Sequence, residues 1–150
     1  MKDNSSHTAT IIRNLEQLLA LTATGICLIV CVYIWSILRA QQPIWPLPGL
    51  YLLEMLAVSI LGLWSIGSNE TRLSRLRGFL TWVTVGILFA FVVLGALSVG
   101  FLIAPVAILF AIAAILSDHR QGHNLVAHLG IGLVAALAQA ALMLDVIRWL

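Results

Sequence analysis

The chain has 150 residues, 61% hydrophobic and only 9% charged, with a formal net charge of +2. A soluble domain carries roughly 25% charged residues, so this chain cannot cover a water-facing surface and lipid is its expected solvent. The charge is spread along the chain without a basic block, which argues against nucleic acid as a partner.

A short polar start, MKDNSSH, gives way to a helical pattern from Thr8. Ile11, Ile12, Leu15, Leu18 and Leu19 share one face, with Arg13, Glu16 and Gln17 away from it. This reads as an interfacial turn or two leading into span 1, about residues 17–38. The apolar segment is longer than a signal-peptide core and ends in SILRAQQP, without a small-x-small cleavage site, so it reads as an uncleaved helix. Cys27 and Cys31 lie four apart within it. Helical Cβ atoms at that spacing are about 5–6 Å apart and a disulfide needs roughly 3.5–4.5 Å, so both read as small packing residues.

RAQQPIWPLPG (Arg39 to Gly49) forms the first loop, with Pro48 placed to open span 2, about 48–66. SNETRLSRLRG (Ser68 to Gly78) is the second loop and the most basic stretch. The unbroken apolar run from Phe79 to Ser117 follows. As one helix it would extend about 58 Å, twice the ~30 Å hydrocarbon core. A hairpin at GALSVGFLIAP resolves this, giving span 3 (about 79–96) and span 4 (about 100–117). Gly95 and Gly100 can adopt positive φ, Ser98 can cap the returning helix, and Pro105 falls near its first turn. DHRQGHN (Asp118 to Asn124) is the last loop, and span 5 covers about 124–144.

The expected fold is therefore an all-α integral membrane bundle of five transmembrane helices in one domain, with four as the alternative count. With the N-terminus cytoplasmic and the C-terminus outside, the inner side holds six basic residues and the outer side two, Arg39 and Arg148. The four-span model gives the same ratio, so length decides the count. All five tryptophans fall near span ends, as in an aromatic belt. The triplets NSS (Asn4) and NET (Asn69) fall on the inner side and read as chance.

Glu54 is the one acid well inside a predicted span, about two turns from the outer end of span 2. Three roles compete: a structural partner holding helices together, a protonatable site in a transport pathway, or a side chain reaching the outer headgroups, with Arg39 and Arg148 within snorkelling range. Gly132, Ala136 and Ala140 form a small-residue stripe in span 5 that permits close helix packing, and Gln139 shares that face. Gly86 and Ala90 in span 3 offer a matching surface. His119, His123 and His128 gather with Asp118 near the inner ends of spans 4 and 5, but their spacing suits loops and caps better than a metal or haem site. No metal or other cofactor is expected. No Ser–His arrangement, Walker loop or dinucleotide fingerprint is present. An enzyme would need Glu54 to converge with Gln139 or a histidine, which their predicted depths disfavour.

A single intramembrane glutamate in a short helical bundle resembles the small multidrug resistance family of proton-coupled exporters. Members of that family have four spans with the acid in the first, whereas Glu54 lies in the second of five, so no site is carried over. GALSVGFLIAP and PLPGLYLLE also look like stretches of small bacterial membrane proteins. The expected function is a non-enzymatic accessory or scaffold component of the cell membrane, specifically a bacterial inner membrane, or alternatively a small transporter or ion-pathway subunit using Glu54. Its expected partners are the lipid bilayer and either further copies of itself or a larger membrane complex.

Overall fold

The computed structural model describes residues 3–41, 47–67, 74–95, 100–122 and 124–148. They form five helices: α1 (Asp3–Gln41), α2 (Leu47–Gly67), α3 (Ser74–Leu94), α4 (Gly100–Gln121) and α5 (Leu125–Arg148). No strand occurs among the described residues. All five helices are long and apolar enough to cross a membrane. The aligned contacts make α1 to α4 an up-and-down square, in which α1 and α3 each pack on both α2 and α4. The fifth helix seats on the outer side of α3, runs parallel to it and barely touches α4. The end at which α1 begins is called proximal below, and the opposite end distal.

The hairpin between spans 3 and 4 forms where length requires it. Gly95 N–H donates to Phe91 O at 2.9 Å and Gly100 N–H to Gly95 O at 2.6 Å. Neither glycine has positive φ, which among the described residues belongs to Gly122 at φ 65°, just past the end of α4. Gly95 and Gly100 are instead needed for room: a Cβ on Gly95 would lie 2.8 Å from Phe91 O, and one on Gly100 would collide with Val92 O. Pro105 falls in the second turn of α4 rather than the first. Ser98, expected as a cap, lies outside the described residues, as do His123, Asn69, Trp45 and Trp149.

Close packing of small residues builds the square. On α1, Ala20, Ala23, Cys27 and Cys31 recur every three or four residues and are all buried. Thr24 Oγ1 lies 3.3 Å from Ser59 O, Cys27 Sγ 3.8 Å from Met55 O and Cys31 Sγ 3.7 Å from Leu52 O. Hydroxyl and thiol donors thus run up α1 against successive carbonyls of α2, and both cysteines are free. At mid-depth a Cβ on Gly62 of α2 would lie 2.7 Å from Thr84 Cγ2 on α3 and 2.8 Å from Phe110 Cε1 on α4. Tyr51 and Phe91 meet edge-to-face at 6.2 Å towards the distal end.

The helix α5 docks through the matching small-residue surfaces. A Cβ on Gly86 would collide with the Gly132 carbonyl oxygen and lie 3.0 Å from Ala135 Cβ. Backbone cannot move aside as a side chain can, so Gly86→Leu should separate α5 from α3 and cost at least about 3 kcal/mol. Gly25 has nothing within 4 Å of such a Cβ, so Gly25→Ala should be neutral or gain up to about 1 kcal/mol of helix propensity. Thermal unfolding in detergent compares the two; equal midpoints would contradict this packing.

Candidate functional site

Interhelical polar groups gather at two levels. At the distal level Gln139 Nε2 donates to Glu54 Oε1 at 2.7 Å. Gln139 is buried, Glu54 half-buried. Their helices flank α3, so this bond crosses over it and ties α5 to the square. The expectation that depth keeps the two residues apart is overturned: both lie about two turns inside the distal ends of their helices, and α5, parallel to α3 as five alternating spans require, sets Gln139 level with Glu54. Glu54 pairs with this amide rather than with Arg39 or Arg148. Among the small residues, Gly132 is buried against α3, where a Cβ would lie 3.2 Å from Trp82, while Ala136 and Ala140 are half-buried.

The proximal level is richer. Arg120 Nε and Nη2 donate to Glu16 Oε1 and Oε2 at 3.0 and 2.9 Å, a two-pronged pair between α4 and α1. Glu16 is only 1% exposed. Asp118, also buried, accepts from Trp82 Nε1–H at 2.8 Å. Both oxygens of the Asp118 carboxylate lie 2.9 Å from His128 Nδ1, joining α3, α4 and α5. Ser65 and Thr81 hydroxyls lie 2.9 Å apart between α2 and α3. Thr84 Oγ1, Arg77 Nε and Nη2, and Gln121 Oε1 are buried without a hydrogen-bond partner.

Three sequence expectations change here. Residues 118–121 continue α4 as its last turn instead of forming a loop, which turns Asp118 inward and sets Arg120 beside α1. Trp82 is 3% exposed and hydrogen-bonded to Asp118, so it does not belong to a lipid-facing belt. Glu16 faces inward while Ile11, Leu15 and Leu18 face outward. Burial in α1 follows the small-residue stripe, and Glu16 extends that stripe one turn below Ala20. Hydrophobicity alone pointed to the opposite face.

His119 is exposed and takes no part in this network. Among the described residues no group of three or more His, Cys, Asp or Glu converges on a metal position. What the arrangement does chemically is hold helices: each paired acid joins side chains of different helices. In lipid, where apolar surface supplies little drive for helix association, such bonds and close backbone approaches specify the partners.

No protein-family model matches the chain, and neither a curated protein nor a solved structure shows significant similarity to it. The likeness to the small multidrug resistance family therefore rests on the intramembrane glutamate alone.

Removing Arg120 leaves Glu16 buried without its cation. Arg120→Gln should cost about 3 kcal/mol, at the low end for breaking a buried pair, because Arg120 itself is 30% exposed. Adding Glu16→Gln should recover most of that loss, since no buried charge then remains uncompensated. Unfolding in mixed micelles followed by circular dichroism measures both, and an equal loss in the single and double variants would contradict the pairing.

Proposed function

We propose that the protein is a non-enzymatic accessory or scaffold component of a cell membrane, with its N-terminus cytoplasmic. The positive-inside ratio supports that orientation, and a bacterial inner membrane fits it. The observation that carries the reading is the bond between Glu54 and Gln139. The intramembrane acid is engaged in joining two helices, as a structural polar residue in lipid is expected to be. Further copies of the chain or a larger membrane complex are the partners proposed. Because Gly132 already serves α3, the face left for a neighbour is the outer one, where Leu133 and Leu137 are each 62% exposed.

A transporter or ion-pathway subunit is the second reading. It is favoured by the neutrality of the partner: an amide, unlike an arginine, does not lock the Glu54 carboxyl group into an ion pair.

Glu54→Gln separates the two, because an amide can still accept from Gln139 and the fold should survive. In reconstituted vesicles the scaffold reading expects no pH-dependent flux that this variant abolishes. Such a flux in the wild type, lost in the variant, would replace it with the transporter reading. In native-lipid nanodiscs the wild type should run as an assembly larger than one chain, and Leu133→Ala with Leu137→Ala should reduce its size. A monomeric wild type would count against the scaffold.

A further inference from the structure

An open cleft of about 390 Å³ at the proximal end is lined by Thr10, Arg13, Asn14 and Arg120. That volume lies within the range of small-molecule sites, yet every lining residue is polar. We propose that this cleft binds the headgroup of an anionic phospholipid, a phosphodiester carrying one negative charge.

Depth supports this assignment. About 20 residues cross the hydrocarbon, and counted back from Leu38 they reach Leu19. Arg13 then lies roughly 9 Å further along α1, in the headgroup layer. Charge supports it as well. Arg120 is neutralised by its bond to Glu16, while Arg13 has no ion-pair partner among the described residues. The cleft therefore carries a net charge of about +1, which suits a phosphodiester monoanion better than a phosphomonoester dianion. The pairing with Glu16 also fixes the Arg120 guanidinium, so one of the two cationic groups is held in place before any ligand arrives.

The surface beside the cleft decides between a lipid and a soluble phosphate. Thr10, Arg13 and Asn14 stand at i, i+3 and i+4 on one face of α1. Leu21 and Leu28 follow Asn14 at seven-residue intervals, which keeps them on that face. They are 64% and 50% exposed. A polar cleft at headgroup depth thus continues into exposed apolar side chains that reach about 21 Å along the helix beyond Asn14, the amphiphilic pattern of a phospholipid with its acyl chain along the helix. A free phosphate would use only the first part.

The test uses the full chain reconstituted from an equimolar mixture of phosphatidylglycerol and phosphatidylcholine, extracted into mild detergent, and weighed by native mass spectrometry. The wild type should retain phosphatidylglycerol in preference to phosphatidylcholine. Arg13→Gln should lower that retention by about fivefold, the weight of one basic side chain at an anionic surface, and Arg13→Lys should keep part of it. Since Arg13 is not part of the packed interior, circular dichroism should show both variants folded. Leu21→Ser should also lower retention, and inorganic phosphate should not displace the lipid. Equal retention of the two lipids, or no effect of Arg13→Gln, would overturn the site. Displacement by inorganic phosphate, or indifference to Leu21→Ser, would overturn the lipid as its ligand.

Discussion

Polar side chains that pair across helices in a solvent unable to satisfy them are the constraint on which this architecture depends. In hydrocarbon an unpaired polar group costs several kcal/mol, while apolar surface is nearly indifferent to whether it faces lipid or another helix. Leucine and valine therefore do little to select neighbours. The selection falls to the carboxylates, amides, hydroxyls and thiols, and to glycines that bring backbones together. Glu16 with Arg120 closes α1 on α4. Asp118 gathers Trp82 and His128 from two further helices, and Glu54 with Gln139 joins the second helix to the fifth.

This constraint explains why α5 stays attached although it is the least buried helix. It is held at three heights: His128 on Asp118 at the proximal end, Gly132 against Gly86 in the middle, and Gln139 on Glu54 at the distal end. The square of α1 to α4 has a broader basis, in the small-residue stripe of α1 and the junction of Gly62, Thr84 and Phe110. The molecule is a four-helix core carrying a pinned fifth helix, and that helix's outer face of leucines and valines is open to lipid or a neighbour.

The number and type of elements were legible because bilayer thickness and helix rise leave few ways to divide a long apolar run. The run from Phe79 to Ser117 had to double back, and its glycines mark the place. Which face of a helix turns inward was less legible. Amphipathic patterning reports contact with water, and here both faces of a helix meet apolar surroundings. In α1 the pattern of leucines therefore pointed away from the face on which Glu16 is buried. The register of Ala20, Ala23 and Cys27 carried the needed signal, since small residues mark close approach in lipid. Asp118 and Arg120 were hidden for another reason: their polar run reads as a loop, and a helix end at headgroup depth has the same composition. Glu54 and Gln139 were each visible alone. Alternating spans put both at the distal level; that they touch depends on where α5 seats around the square, a tertiary relation that no local pattern encodes.

The claim that interhelical polar bonds set this arrangement is tested most directly by a double-mutant cycle on Glu54 and Gln139. The wild type, Glu54→Ala, Gln139→Ala and the double variant would be unfolded reversibly in bicelles by steric trapping. The account predicts a favourable coupling between the two positions of about 0.6–1.7 kcal/mol, from the average to the largest value found for hydrogen bonds between membrane helices. Strictly additive losses, with no coupling, would show that the two side chains do not hold α5 to the bundle and would contradict it.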